Sequence, residues 1–364
     1  MEVRTNFLVL SLVALALFLG FPVSQPDASA DSLRDQMIAK AKKEGKVVVA
    51  GSIADDIKRH LTGFRKKYPF ITVKDLEMNT KDTVNRVSLE ARAGRLSIDW
   101  SGISEDGSEI FVRRGLLAKY EFPHLKDFVP GTQPPHGLYV GGLGNPRIQG
   151  AYNKELISPK DVPKSWEDMG NPKFKGMTMI SRSSEEIPGR LAWLWQKDGK
   201  WDWERAFDLF RKLKAQEPVI GRGYTGGMQR VAAGEVGIFW FVPATVPGRL
   251  ALKGAPLGLI AFPKMFGGLR AWSIFKQAPH PASAWLLMDY ITSPEGQFEF
   301  TDKAAGFIPL NRKAKPGSMA DWIVERGATV ENTQFVDLSR LKEIYSPKVQ
   351  KKSEQFFFKL LGLR

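Results

Sequence analysis

Buried-strand patterns alternate with helical patterns along the first third of the chain. Short apolar runs at 47–50, 71–73 and 98–100 predict three strands. Apolar side chains at helical spacing lie between these runs, at Ile57, Leu61, Phe64 and Tyr68 and again at Val84, Val87 and Ala91. Because parallel strands need a crossover connection, this order predicts an α/β fold with a largely parallel sheet and helices on both faces.

The alternation returns in the second half, after a stretch rich in proline and glycine at 122–146. Its strand and helix patterns lie at 177–180, 203–210, 218–220 and 236–240. We interpret 122–146 as the first passage between two domains and 257–261 as the return passage. The residues after 261 are expected to pack helices back on the first domain, with a final helix around 353–361.

The N-terminus has the pattern of a secretory leader. An uncharged apolar run at 7–21 follows Arg4, and Ala28-Ser29-Ala30 supplies the small residues of a signal-peptidase site, so Asp31 is the predicted mature N-terminus. The run is shorter than the roughly 20 residues that a membrane span needs, and a retained anchor helix is the alternative. No second apolar stretch approaches this length, so we expect no stable membrane insertion of the mature chain.

The composition restricts the classes of site and partner. The absence of cysteine excludes disulfides, thiolate metal sites and a lipid-anchored cysteine. The net charge of +14 favours anionic partners, although a basic surface that serves solubility is the slightly favoured alternative. Lysine and arginine are dispersed and no basic block occurs, so no nucleic-acid partner is predicted.

A proline-containing unit at 276–297 is the most informative motif. Pro281 suits the first turn of a helix, while Ser293, Pro294 and Glu295 combine a cap, a first-turn proline and an acid at a positive helix end. Further blocks follow one another at 39–49, 64–73, 90–99, 152–154, 163–176 and 231–237. With these blocks the chain resembles the bacterial extracellular solute-binding proteins of ABC importers, near the branch that binds ferric ion and small organic solutes.

The resemblance implies the two-lobed fold of type II periplasmic-binding proteins. In that fold each lobe is a mainly parallel sheet flanked by helices, and the ligand lies in the cleft between the lobes. We therefore expect a signal peptide at 1–30, the first part of lobe I at 31–138, lobe II at 139–261, and at 262–364 a return to lobe I plus C-terminal helices. Ligand binding would close the lobes about a hinge, and a permease would recognise the closed form.

The resemblance also implies ligand capture and delivery rather than catalysis. We expect a monomeric periplasmic protein, without lipid anchor or cofactor, that carries a small organic anion to ABC permease subunits. The alternatives are a ferric-ion or ferric-complex binding protein, a ligand-sensing subunit and a periplasmic hydrolase on the same fold. The four histidines, His60, His124, His136 and His280, are far apart, so no catalytic or metal site is predicted. We interpret Glu186 as a solvent-exposed carboxylate at the start of a helix, which could lie near the cleft beside Arg190.

Ligands of open α/β sheets lie beyond the carboxyl ends of the strands, which directs attention to short loops. In the first lobe these loops place Ser52 and Ser101 at the cleft. In the second lobe Arg182, Ser183 and Ser184 follow a strand, and a serine-rich helix start beside a forked cation suits a carboxylate or phosphate. Helix capping with an exposed arginine is the alternative interpretation.

Two aromatic positions complete the predicted site. Tyr224 and Thr225 lie in a glycine-rich loop after a strand, and Tyr224 either supplies a hydroxyl to the ligand or caps the core. Trp240 ends a strand and either packs on the ligand body or is a buried strand end. The ferric-binding branch carries adjacent tyrosines in this neighbourhood. This chain has Trp240 and Phe241 instead, so bare ferric iron is not expected.

Overall fold

A computed structural model describes residues 28–303, 306–336 and 338–363. The predicted signal peptide lies outside these residues except for its last three positions. Among the described helices, none combines the length and apolar character that a membrane crossing requires.

Within the described residues, the strands form two sheets, and each sheet is the centre of one lobe. The first sheet contains β1 (Lys46–Gly51), β2 (Thr72–Glu77), β3 (Trp100–Ser104), β4 (Val140–Arg147), β10 (Met265–Ile274), β11 (Ile308–Pro309) and β12 (Thr333–Phe335). The second sheet contains β5 (Gly150–Asn153), β6 (Thr178–Ser181), β7 (Val219–Gly221), β8 (Ile238–Trp240) and β9 (Leu257–Ile260). The predicted two-lobed α/β fold is confirmed.

Helices cover these sheets. They are α1 (Ala28–Glu44), α2 (Ala54–His60), α3 (Thr62–Lys67), α4 (Thr80–Arg92), α5 (Glu105–Arg113), α6 (Ile187–Leu194), α7 (Trp203–Ala215), α8 (Tyr224–Ala232), α9 (Thr245–Ala251), α10 (Pro281–Thr292), α11 (Pro294–Lys303), α12 (Ser318–Val324), α13 (Leu341–Ile344) and α14 (Pro347–Leu361). Helix α10 begins at Pro281 as predicted. The Ser293 hydroxyl accepts a hydrogen bond from the backbone N–H of Gly296 at 3.1 Å and so caps α11.

Both sheets are mixed rather than mainly parallel. In the first, the order is β11-β4-β10-β3-β1-β2 with β12 beside β10; β1 runs parallel to β2 and β3, whereas β10 runs antiparallel to β3 and β4. In the second, the order is β7-β6-β8-β5-β9, and β5 runs antiparallel to both of its neighbours. The antiparallel pairs arise because β4, β5, β9 and β10 flank the passages between the lobes.

The chain changes sheet between Arg147 and Gly150 and returns between Ile260 and Met265. The sequence-based boundary at 138/139 therefore precedes β4, which is still a strand of the first sheet. The run at 257–261, interpreted as the return passage, forms the edge strand β9 of the second sheet and ends just before that passage.

The C-terminal helix lies on the second lobe, against the expectation that the last helices pack back on the first. Helix α14 contacts α6 and α7. Phe356 stacks on Phe207 with ring centroids 3.8 Å apart, and Phe357 meets Phe210 edge-on at 5.8 Å. These aromatic contacts bury the apolar face of α14 against α7, which explains its position.

The predicted helix through Ile57, Leu61, Phe64 and Tyr68 is two helices, α2 and α3. Leu61 lies between them with φ −76° and ψ 70°, outside the helical region. The Glu299 carboxylate of α11 accepts hydrogen bonds from the Thr62 hydroxyl and from the Gly63 N–H, the latter at 2.7 Å. An acceptor at these free donors stabilises a new helix start, so a tertiary contact interrupts the continuous apolar stripe.

Candidate ligand-binding site

A cavity of about 320 Å³ lies between the two lobes. The first lobe supplies residues from the end of β3, the end of β4 and the middle of β10, and the second lobe supplies residues around α6 and the start of α8. Val336 and Tyr345, from the chain after β12, also line the cavity. The charged and tyrosine side chains that line the cavity are Glu105, Asp106, Arg147, Glu186, Arg190, Tyr224, Arg270 and Tyr345.

Three different elements direct arginines into this cavity. Arg147 is the last residue of β4, Arg270 lies in β10, and Arg190 lies in α6. The register between β10 and β4 shifts between Arg270 and Ala271. Such an irregularity re-aims a strand side chain, and here it occurs at the residue that faces the cleft.

Each arginine has one buried nitrogen without a hydrogen-bond partner among the described residues. These atoms are Nη1 of Arg147, Nη1 of Arg190 and Nε of Arg270. Buried donors are almost always paired in folded proteins, so three unpaired guanidinium nitrogens around one cavity mark it as a place for acceptor atoms. Guanidinium groups match the oxygens of carboxylates and phosphates, and such charge-assisted bonds are the strong ones.

Carboxylates are also present in the cavity. Glu186 pairs with Arg147 at 2.9 Å between Oε1 and Nη2. Glu105, the first residue of α5, accepts hydrogen bonds from the Tyr345 hydroxyl at 2.7 Å and from the Leu269 N–H at 3.1 Å. Burial raises the pKa of Glu105, which favours its neutral form beside the arginines.

Tyr224 is held at the cavity wall. Its hydroxyl donates a hydrogen bond to the Ser183 carbonyl at 2.6 Å and lies 3.3 Å from the Ser184 hydroxyl, and its ring lies beneath the Arg147 guanidinium at 5.1 Å. Burial raises the pKa of Tyr224, so the ring is a neutral support for Arg147. The predicted loop at 222–227 is only partly a loop, because α8 begins at Tyr224.

The other predicted site residues do not line the cavity. Ser101 is completely buried in β3, and Ser52 follows β1. Ser183 and Thr225 are exposed, and Ser184 is buried behind Tyr224. The Arg182 guanidinium lies 5.5 Å from the Phe358 ring, so it faces α14. Trp240 is completely buried and meets Phe174 edge-on at 6.2 Å, as a core side chain does.

Sequence reasoning missed Arg147, Arg270, Glu105 and Tyr345, and it placed Glu186 and Arg190 near the cleft without assigning them to the site. Arg147 follows directly on the Pro/Gly-rich stretch that marks the passage between lobes, and that position was the available signal. In the part of the chain that the structure describes, no group of three or more His, Asp or Glu side chains is placed to hold a metal ion.

Comparisons with known proteins agree with this architecture. A family model of bacterial extracellular solute-binding proteins matches residues 61–328. An uncharacterized protein of Haemophilus influenzae is 25% identical over 269 residues, which are 71% of this chain and 75% of the relative. The Fe(3+)-binding periplasmic protein of Serratia marcescens is 23% identical over 189 residues, 50% of this chain and 54% of the relative.

Three solved structures share the fold. FutA of Trichodesmium with iron and citrate has a TM-score of 0.67 at 18% identity, covering 87% of this chain and 99% of its own. Iron-bound HitA from Pseudomonas aeruginosa has a TM-score of 0.66 at 20% identity, with 85% and 99% covered. AfuA from Actinobacillus pleuropneumoniae with fructose-6-phosphate has a TM-score of 0.65 at 19% identity, covering 88% of this chain and 99% of its own. The chain belongs to the bacterial extracellular solute-binding proteins, the components of ABC importers that bind the solute.

Proposed function

We propose that this solute-binding protein captures a small organic anion in the cleft between its lobes and delivers it to the ABC permease. The observation that carries the proposal is a set of buried arginine nitrogens that have no partner in the described part of the chain, one each on Arg147, Arg190 and Arg270. A ligand with carboxylate or phosphate oxygens gives all three donors an acceptor, whereas a neutral ligand offers weaker acceptors to three cations.

The ligands named for two structural neighbours fit this class. AfuA has bound fructose-6-phosphate, and FutA has bound citrate together with iron. Both organic ligands combine hydroxyl groups with anionic oxygens. Asp106 in the cavity of this protein offers an acceptor for ligand hydroxyl groups, while the arginines offer donors for the anionic part.

Ferric-complex binding is the second candidate, because FutA and HitA have bound iron. Tyr224 and Tyr345 are the tyrosines at the cavity, and burial raises the pKa of both, which opposes the phenolate forms that would hold a bare ferric ion. Their hydroxyls also donate to Ser183 and Glu105. A ferric complex would therefore be held through the oxygens of its organic anion.

A binding screen tests the proposal on residues 31–364. The probes are fructose-6-phosphate, citrate, inorganic phosphate, neutral fructose, ferric chloride and ferric citrate. A ligand at 100 times its Kd adds about 2.7 kcal/mol to the free energy of unfolding, which a thermal shift detects. We expect shifts with an organic anion and none with fructose. A shift with fructose alone, or with ferric chloride alone, contradicts the proposal.

Calorimetry on variants then tests the site. Arg270→Met is expected to raise the Kd of the anion more than tenfold, because it removes a charge-assisted contact in a buried site. Arg211→Met is the matched control, since Arg211 lies on α7 in an exposed ion pair with Glu204. An unchanged Kd in Arg270→Met would remove this arginine from the site.

We also propose that residues 1–30 direct the chain to the periplasm, where it acts as a monomer without a lipid anchor. The leader pattern and the family support this proposal. Mass spectrometry of the protein from a periplasmic extract should give a chain that begins at Asp31. A chain that retains the leader and sediments with membranes would favour the anchor-helix alternative.

A further inference from the structure

We propose that Tyr345 is a latch between the two lobes, carried by a C-terminal segment, 338–361, that moves with the second lobe. This inference rests on the proposed function, because it concerns how access to the same cavity is regulated. The family match covers 61–328, so this segment lies beyond the matched residues. It nevertheless supplies Tyr345 to the wall of the ligand cavity.

The C-terminal segment is fixed to the second lobe by contacts on each of its helical parts. The Arg340 guanidinium donates to Gln196 at 3.1 Å, and the Trp201 indole donates to Glu343 at 3.0 Å. On α14, the buried Ser353 hydroxyl accepts from the Gly189 N–H at 2.9 Å and donates to the Glu185 carbonyl at 2.7 Å. With the aromatic stacking of α14 on α7, these bonds make the segment part of the second lobe.

Tyr345 lies between α13 and α14 and reaches both lobes. The Arg190 guanidinium of α6, in the second lobe, lies 4.1 Å from its ring centroid. Its hydroxyl donates to Oε1 of Glu105, the first residue of α5 in the first lobe, at 2.7 Å. Because the ring belongs to the second lobe and the acceptor to the first, separation of the lobes must break this hydrogen bond.

The latch is connected to the ligand site through Arg190. The guanidinium lies against the Tyr345 ring, its Nη1 atom has no partner among the described residues, and Arg190 lines the cavity. A second cavity of about 420 Å³, lined by Tyr345 and Asp106 among others, lies next to the first. Tyr345 and Asp106 line both cavities, so the ring has space into which it can turn when the bond to Glu105 breaks.

The Tyr345–Glu105 bond should therefore bias the ligand-free protein toward the closed cleft. Arg147 and Glu186 also pair across the lobes, but the Glu186 side chain is 41% exposed, so water competes for that contact. Glu105 as a whole residue is only 2% exposed, and a buried acceptor loses more when its donor leaves. Loss of the Tyr345 hydroxyl is expected to raise the population of open molecules.

Spin-label distances in the ligand-free protein test the latch directly. The chain has no cysteine, so Lys66→Cys and Lys214→Cys, exposed positions on α3 and α7, introduce one label into each lobe. Tyr345→Phe keeps the ring against Arg190 and removes the hydroxyl, and Glu105→Ala removes the acceptor. Each variant is expected to add a longer distance between the two labels to the distribution. If the parent already shows that longer distance, each variant is expected to increase the fraction of molecules that have it at least twofold.

Tyr139→Phe is the matched control. The Tyr139 hydroxyl also donates to a buried glutamate, Glu109 at 3.1 Å, but both residues lie in the first lobe. This variant should leave the distance distribution unchanged. Identical distributions for the parent, Tyr345→Phe and Glu105→Ala, with circular dichroism showing folded proteins, overturn the latch. No ligand is used, so the latch can fail while anion binding stands, and it can hold if none of the anions binds.

Discussion

Arg147 at the end of β4 and Glu186 just before α6 form an ion pair across the two lobes, with 2.9 Å between Nη2 and Oε1. The same arginine lines the cavity, and its buried Nη1 atom has no partner among the residues that the structure describes. This guanidinium therefore contacts the opposite lobe and also lines the cavity that we propose as the anion site. Glu186 reduces the positive charge that an anion meets in the cleft.

Glu186→Gln is expected to tighten anion binding. The change removes one negative charge from the cavity wall and leaves a side chain of the same shape that can still accept from Arg147. Because Glu186 is partly exposed, we expect a modest fall in Kd, about threefold, or roughly 0.6 kcal/mol. Isothermal titration at low and at high salt measures the effect, which should shrink at high salt.

Glu354→Gln is the control for this prediction, because Glu354 is exposed on α14 and is not among the residues that line the cavity. It should leave the Kd unchanged. A Kd that rises in Glu186→Gln would mean that the carboxylate accepts a hydrogen bond from the ligand, and the charge argument would then be wrong.

Local signals in the sequence predicted the helix starts well. Pro281 and Ser293 act within one helical turn, so their neighbours in sequence determine their roles. Trp240 could not be assigned in this way. Strand β8 lies between β6 and β5 with all three of its residues buried, so its apolar run gives no alternation that separates one face from the other.

The positions of the cavity arginines could not be predicted from local sequence signals either, because they depend on contacts between distant segments of the chain. Arg270 faces Leu143 in the register of β10 and β4, and this pairing brings it to the same cleft as Arg147. Nothing near Arg270 in the sequence indicates its partner, because the pairing joins segments more than a hundred residues apart. Tyr345 was equally hidden, since its role depends on the path of the chain after β12.

Asp99→Asn is expected to destabilise the first lobe. The Asp99 carboxylate is completely buried and accepts from the Val48 N–H and the His280 N–H, both at 2.7 Å, and lies 2.9 Å from His280 Nδ1. An asparagine offers one acceptor oxygen instead of two and turns its NH2 group toward a donor. We expect the free energy of unfolding to fall by about 2–4 kcal/mol, measured by urea denaturation.

Asp161→Asn provides the comparison for Asp99, since Asp161 pairs with Lys173 at 3.3 Å on the surface. That variant should change the free energy of unfolding by less than about 1 kcal/mol. Equal effects of the two substitutions would show that burial of Asp99 does not strengthen its contribution.

Tyr68→Phe is expected to leave stability unchanged or to increase it by up to about 1 kcal/mol. The Tyr68 hydroxyl is buried and has no hydrogen-bond partner among the described residues, while its ring contacts Phe64 at 5.3 Å and Phe70 at 6.1 Å. The variant keeps these ring contacts and removes a polar atom that gains nothing from folding. Thermal and urea unfolding measure the difference.

Tyr290→Phe is the comparison for Tyr68→Phe, because it removes a tyrosine hydroxyl that makes a hydrogen bond. The Tyr290 hydroxyl donates to Glu299 at 2.9 Å, so its loss should cost about 1–3 kcal/mol.

Burial and the Asp289 charge raise the pKa of Tyr68 to about 12. The parent should therefore lose stability relative to Tyr68→Phe as the pH rises above 10, the ordinary tyrosine value. A parallel alkaline profile for the two proteins would contradict this.

Glu105 gives the stability of the protein a pH dependence of defined sign. Burial raises its pKa above the ordinary value of 4.5, so the folded protein binds this proton more tightly than the unfolded chain. The resulting stabilisation is present below the ordinary pKa and is lost as the pH rises through the folded-state pKa. Glu105→Gln cannot titrate, so it does not share this loss.

The free energy of unfolding of Glu105→Gln, relative to the parent, should therefore increase as the pH rises from 4.5. The slope for one group is at most about 1.4 kcal/mol per pH unit. Urea denaturation at intervals between pH 4 and pH 8 measures it. Asp75 should show the opposite sign, because its hydrogen bond with Lys58 lowers its pKa and its stabilisation is lost as the pH falls. A Glu105→Gln difference that is flat, or that falls with pH, would show that the arginines near Glu105 outweigh its burial.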